Sequence, residues 1–396
     1  MRMNSVIIFG GDHYNALGLA RVFGINGIKP YGILTVDKGQ EKKVYAAKSR
    51  YWNKNWIVNS EEEGLNIIIE KFSNIYEKAV IIPSSDRAEL IIDQNMNRLK
   101  SKFYVPGIRN EQGAVSRLMN KTIQNEWART IGLKTAESCE LDLYENDCIR
   151  KIRWYPCILK PVLSSEGKKE DIVKCENQEC VLQEIETLKK KGYKRILAQK
   201  FLHKDYEVEL FGAIASNSKV IPYILSKHVR EWPPIAGSVS CHQFIVDDKY
   251  KKIAEDILKK IMVYGYTGNI DIELFMINGE LYLNEVNFRN SGDVYACFHN
   301  KVFYALIWYL DIIGKDISKF NLLYDNSRYA MNETTDIRHV IFGKMKLREW
   351  LHYYWNCSDF AIKFKGDMRP AFSRYKNCMF QLVKKGKQQK KLVNNE

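Results

Sequence analysis

Gly268-Asn269-Ile270-Asp271-Ile272-Glu273-Leu274-Phe275 is followed, after Asn278-Gly279, by Leu281-Tyr282-Leu283-Asn284-Glu285-Val286-Asn287. Two apolar-rich runs joined by Asn-Gly are among the strongest short-range signals of a β-hairpin, because both central turn residues tolerate positive φ. Strand side chains repeat every two residues, so Asp271 and Glu273 share one face of the first strand, and Glu285 and Asn287 one face of the second. Pairing across a short turn brings these groups close together, and like charges directly opposed are destabilising unless a cation neutralises them. Clustered carboxylates with an amide are oxygen ligands suited to Mg²⁺. A solvated hairpin face that carries acids by chance is the alternative.

Upstream, Lys160 closes the apolar strand Cys157-Ile158-Leu159 and precedes Pro161 and the loop Leu163-Ser164-Ser165-Glu166-Gly167-Lys168-Lys169. A lysine leaving an apolar strand beside a small Ser/Gly loop suits a polyphosphate, offering a point charge, backbone N–H donors and a covering loop. No GxxxxGK[ST] P-loop is present. A polar turn at an exposed strand end is the plainer alternative.

Towards the N-terminus, Val6-Ile7-Ile8-Phe9 reads as a buried parallel strand, residues 16–23 as a helix, and residues 30–36 and 79–83 as further strands. This alternation predicts a small doubly wound α/β domain over about residues 1–105. Gly10-Gly11 lacks the GxGxxG fingerprint, which argues against a nicotinamide or flavin site. Residues 112–131 carry a helical period up to Gly132, strands are expected within 155–172 and 195–244, and residues 249–264 read as a helix. Beyond about residue 315 the pattern becomes aromatic and helical, then basic. His13 reads as a solvated loop histidine, Asp86 as a helix N-cap, and the aromatics between Trp350 and Trp355 as core or interface.

The 396 residues predict two or three domains, and 45% apolar with 27% charged residues exclude a disordered scaffold. No run approaches the roughly 18 apolar residues of a membrane span, and the N-terminal apolar run is too short for a signal peptide, so a cytoplasmic chain is expected. Nine scattered cysteines without a CxxC pair suggest reduced thiols rather than disulfides or a cysteine-held zinc. The net charge is +14, and residues 361–396 hold ten Lys or Arg against two acids, which is +8 of it. That tail allows a rival reading as a non-catalytic nucleic-acid or membrane-surface protein. A pure polyanion binder would gain nothing from the hairpin carboxylates, so no nucleic acid is expected as partner.

In their order along the chain these elements resemble the ATP-grasp superfamily, particularly its carboxylate–amine ligases, over about residues 1–315. Glu273 with Glu285-Val286-Asn287-Phe288-Arg289-Asn290-Ser291-Gly292 is similar to the family's E-x-N-x-R…G strand, and Tyr155-Pro156-Cys157-Ile158-Leu159-Lys160-Pro161 to its P-x-x-x-K-P strand. Asn120-Lys121 ahead of a helix ending at Gly132 looks like its first phosphate lysine. Ala198-Gln199-Lys200-Phe201-Leu202 followed by Asp205-Tyr206-Glu207 resembles the adenine hinge and ribose glutamate. Lys227-His228-Val229-Arg230-Glu231-Trp232-Pro233-Pro234 with Gly237 is similar to a segment of ligases related to D-aspartate ligase and carbamoyl-phosphate-synthase-like proteins. Phe288 stands where the family usually has proline, and Lys200 replaces the hinge acid.

The resemblance implies an α/β (α+β) architecture. A doubly wound pre-ATP-grasp domain (1–105) precedes a two-subdomain ATP-grasp fold (106–315, lid about 135–196) and a helical extension with a basic tail (316–396). It implies ATP, with two Mg²⁺ (Mn²⁺ a conceivable substitute) held by Glu273, Glu285 and Asn287. Lys121 and Lys160 would hold phosphates, and Ser165 and Gly167 would close over them. Gln199, Lys200 and Leu202 would meet adenine and Glu207 the ribose, while Arg289 and Arg230 would act on the transferred phosphoryl group or the acid. The implied reaction joins a small-molecule carboxylate to an amine, with an amino acid as one expected substrate and cell-envelope or polysaccharide assembly as an expected setting. A homodimer and a peripheral contact of the tail with anionic membrane are left open.

Overall fold

The computed structural model describes residues 3–163, 171–234, 237–322, 324 and 326–378. The first sheet holds β1 (Val6–Gly11), β2 (Tyr31–Thr35), β3 (Lys54–Val58), β4 (Ala79–Pro83) and β5 (Phe103–Tyr104), all parallel in the order β3-β2-β1-β4-β5. Its central strands are apolar throughout because helices cover both faces. The helix Tyr14–Ile25 packs on the short turn Gly292–Ala296, and Gly18 permits that approach: a Cβ there would lie 2.5 Å from Val294 Cγ1.

A short strand β6 (Gly107–Ile108) leads into two helices, Ala114–Leu118 and Lys121–Thr130, rather than the single one the periodicity predicts. The break falls at Asn120, whose side chain accepts from the backbone N–H of Thr122 and Ile123 and so caps the second helix. A second sheet follows, antiparallel, with β7 (Ser138–Asp142), β8 (Cys157–Pro161), β9 (Val173–Cys175) and β10 (Arg195–Lys200) in the order β7-β10-β8-β9. Leu141, Leu159, Ile196 and Ala198 form its core with the helix Gln178–Lys190.

The large sheet comprises β11 (Tyr206–Ile214), β12 (Tyr223–Trp232), β13 (Ser238–Phe244), β14 (Tyr266–Ile277), β15 (Glu280–Asn287), β16 (Tyr329–Met331) and β17 (Cys357–Phe360), with β6 joining at β14. Its order is β15-β14-β11-β12-β13-β16-β17. One face, with Val208, Leu210, Ile272 and Leu274, packs on the amphipathic helix Asp248–Tyr264, which stops at Gly265 with φ 107°. The other face buries Phe211, Ala213 and Phe244 against the apolar helix Tyr304–Ile312.

The segment after residue 315 corrects the expectation of a helical extension. Helices such as Leu347–Asn356 are present, but β16 and β17 prolong the large sheet, β17 running parallel to β16. This segment is clasped to the first sheet by Arg21, fully buried, which donates to Asp367 at 3.1 Å and to the carbonyls of Ala361, Ile362 and Asp367. Trp350 is buried as expected, whereas Trp355 is exposed. Among the described residues no helix is long and apolar enough to cross a membrane. The tail beyond residue 378, and with it the membrane and nucleic-acid readings, lies outside the described residues.

Candidate active site

The hairpin turn is built as expected, with Asn278 and Gly279 at φ 50° and 77°. Glu273 and Glu285 are register partners on β14 and β15, and Asp271 faces Asn287. On the other side of β14, Glu209 of β11 is the partner of Glu273. Three carboxylates therefore stand in a row across three adjacent strands, an arrangement that asks for a cation.

β15 contains a bulge between its pairings to Glu273 and Leu274, which leaves Asn284 as an extra residue. Asn284 thus joins Glu285 on the polar face, donating to Glu273 Oε2 at 3.0 Å and accepting from Lys160 Nζ at 3.4 Å. The regular alternation assumed from sequence overlooks this residue. The spacing of the buried positions Leu281, Leu283 and Val286 carries the signal, since the second step is three residues instead of two.

Two lysines converge on the row. Lys121 opens the helix capped by Asn120; its N–H donates to Val162 O at 2.9 Å and its Nζ lies 3.0 Å from Glu285 Oε2. Burial acts to lower its pKa, but Glu285, with Glu273 and Asp86, makes the net shift upward. Lys160 is buried at the end of β8, and burial, reinforced by the Lys121 charge, pushes its pKa down to about 7. A buried lysine held this close to neutrality needs an anion to keep its proton.

Arg289, just after β15, donates to Asp86 Oδ1 at 2.9 Å and to Asp271 Oδ2 at 2.5 Å. Burial opposes its charge, but these two carboxylates raise its pKa overall. The expected role of Asp86 changes here: Ser85 caps the helix Asp86–Gln94, accepting from Ala88 N, while Asp86 orients the arginine across the cleft. Asn290 pairs with Asn15 and with Pro83 O, fastening the loop after β15 to the helix that follows β1 and to the carboxyl end of β4. His13 caps the helix Tyr14–Ile25. Burial and Glu209 raise the Asp271 pKa, and burial lifts Asp293 to about 6.

On the second sheet, Gln199 is buried, and its Nε2 has no partner among the described residues. An orphaned donor beside the Lys160 strand fits a polar ligand edge. Lys200 Nζ instead turns to Glu137 at 2.7 Å, and Leu202 lies half-buried in the link from β10 to β11. Glu207 pairs closely with Lys204 and lies 3.4 Å from His228 Nδ1. Ser165 and Gly167 lie outside the described residues.

Arg230 is engaged within the fold. Its Nε and Nη2 engage both oxygens of Asp336, at 3.0 and 2.9 Å, and its guanidinium stacks 4.1 Å from the centre of the Tyr353 ring. This bidentate use of the fork, with Ser240 Oγ also on Asp336, ties β12 to the segment after residue 315.

The row of acids across β11, β14 and β15 is met by two lysines, one from a helix and one from the second sheet. Residues 126–296 match the family model of the ATP-grasp domain. The formate-dependent phosphoribosylglycinamide formyltransferase of Methanocaldococcus jannaschii is 30% identical over 170 residues, 41% of this chain and 42% of that protein. The D-alanine–D-alanine ligase of Campylobacter jejuni subsp. doylei is 22% identical over 316 residues, 74% of this chain and 88% of that protein. The chain spans less than half the length of the first two curated relatives it matches. Among solved structures, N5-carboxyaminoimidazole synthetase from Staphylococcus aureus complexed with ADP superposes with a TM-score of 0.66 at 17% identity, covering 87% of this chain and 86% of that one. L-amino acid ligase from Bacillus licheniformis gives 0.64 at 13%, covering 83% and 80%.

Proposed function

We propose that this chain is an ATP-dependent carboxylate–amine ligase that forms an amide through an acyl phosphate, releasing ADP and phosphate. The observation that carries the reading is the opposed pair Glu273–Glu285, with Lys121, Lys160 and Asn284 converging on it. Glu273, Glu285 and Asn287 would hold Mg²⁺, two ions by this reading, which would supply positive charge to neutralise the nucleotide phosphates.

The chain's own groups supply the rest. Lys121 and Lys160 would grip phosphate oxygens, Lys160 gaining its full charge as the nucleotide enters. Gln199 would spend its orphaned amide on the adenine edge, with Lys200 and Leu202 contributing backbone, and Glu207 would accept from the ribose hydroxyls. Ser165 and Gly167 belong to the loop assigned to exclude water from the acyl phosphate. Arg289, aimed by Asp86 and Asp271, would stabilise the transferred phosphoryl group and then the oxyanion formed when the amine attacks. Arg230 is a positioning residue, through Asp336. An amino acid as one substrate is part of this proposal.

The test is ADP formation from Mg-ATP with pools of carboxylic acids and amines offered singly and together. ADP release that needs an acid, and an amide product that needs both, is expected. Nucleotide binding with acid-independent ADP release would contradict the reading.

A further inference from the structure

Beside the nucleotide cleft, β12 carries His228 and Glu231 next to Glu207 and Glu209 of β11. His228 Nδ1 lies 3.0 Å from Glu231 Oε1 and 3.4 Å from Glu207 Oε2, and its Nε2 lies 3.3 Å from Glu209 Oε2. One ligand atom from each of Glu207, His228 and Glu231 lies within 4.8 Å of the others. All four side chains are at least four-fifths buried.

We propose that Glu207, His228 Nδ1 and Glu231 form a second metal centre, for a zinc-class divalent ion, separate from the carboxylates of the hairpin. Zinc bonds of about 2.0–2.1 Å in tetrahedral geometry put neighbouring ligand atoms about 3.3 Å apart. The two Nδ1 separations, 3.0 and 3.4 Å, bracket that edge.

The surroundings match what such a centre needs. A metal-bound histidine commonly donates its other ring N–H to a carboxylate, which fixes tautomer and ring orientation. Glu209 takes that position on Nε2, and its other oxygen accepts from Ser291 Oγ at 3.3 Å. Glu207 Oε1 is occupied by Lys204, which leaves Oε2 towards His228. Counting these five groups, an imidazolium and Lys204 face three carboxylates. A divalent ion in place of the Nδ1 proton makes the balance even. Imidazole with two carboxylates selects zinc-like ions over Mg²⁺, which prefers oxygen ligands and retained water. Because Glu207 serves both, ion occupancy and ribose binding exclude each other at this residue.

The experiment uses the metal-stripped full chain, without nucleotide and in excess Mg²⁺, titrated with Co²⁺ as a spectroscopic stand-in for Zn²⁺. Uptake of one Co²⁺ with tetrahedral-type visible bands, bleached by Zn²⁺, is expected. His228→Gln and Glu231→Gln should each weaken it at least about tenfold, while Glu285→Gln leaves it unchanged. The proposal is overturned if the wild type shows no such bands, if both β12 variants bind as the wild type does, or if Glu285→Gln abolishes the signal. Near-UV circular dichroism checks each fold, and Glu231→Gln decides alone should His228→Gln not fold. Nucleotide is absent, so the outcome is independent of the ligase reading.

Discussion

Glu273 and Glu285 stand directly opposite each other on β14 and β15, with Lys121 3.0 Å from Glu285 and Asn284 3.0 Å from Glu273. Two opposed carboxylates beside Glu209 are the hard oxygen donors that Mg²⁺ takes, which is the role proposed for them. Glu285→Gln should therefore lower Mg²⁺-dependent ADP formation at least about a hundredfold. A coupled ADP assay across Mg²⁺ concentrations checks this, and wild-type turnover would contradict it.

Asn284 touches both a proposed metal ligand and a proposed phosphate lysine. Asn284→Ala should raise the Mg²⁺ concentration for half-maximal ADP formation about tenfold, as loss of groups that orient metal ligands commonly does. An unchanged Mg²⁺ requirement would show that the bulge has no part in orienting Glu273.

The hairpin was legible because Asn-Gly and alternating residues are local signals, and so were the main strands of the first sheet, whereas the cap at Asn120 that splits the predicted helix in two was not. Asn284 was not, because strict alternation puts it on the apolar face and only the three-residue step from Leu283 to Val286 betrays the bulge. β16 and β17 hold three and four residues, too few for a period to show. The engagement of Arg230 by Asp336 joins positions 106 residues apart, and Arg289 meets Asp86 across 203. Such pairings depend on how sheets stack, which no local pattern records.

His228 and His242 are register partners on β12 and β13, yet their pKa values move in opposite directions. Burial lowers His242 to about 4. At His228 burial is outweighed by Glu209 and Glu231, which raise it to about 9. The unfolded value is 6.5 for each. As pH falls from 6.5 towards 4 the unfolded chain protonates His242's counterpart first, so stability is lost on acidification. The His228 contribution is complete below 6.5 and is lost as pH rises through 9. Each is worth up to about 3 kcal/mol by linkage. Urea denaturation in chelator from pH 5 to 9 should show a maximum near neutrality. His242→Asn should flatten the acid limb and His228→Gln the alkaline one; limbs unaffected by these changes would contradict the assignment.

Arg21 and Asp367 form a buried pair that fastens the last described segment to the helix behind β1. Arg21→Met leaves Asp367 without its cation and should cost about 3–5 kcal/mol, while Arg21→Met with Asp367→Leu should recover part of it. Urea midpoints with unchanged slopes measure both. Equal loss in the single and double variants would contradict the pairing.

Hydroxylamine capture tests the ligase reading most directly, because hydroxylamine intercepts acyl phosphates. The protein is incubated with Mg-ATP, hydroxylamine and pooled carboxylic acids, and hydroxamate and ADP are measured together, with Glu285→Gln alongside. Hydroxamate formed in step with ADP from one acid pool, and absent in the variant, is the predicted result. ADP formed by the wild type without hydroxamate from any pool would place the phosphoryl group on a different acceptor and contradict the account.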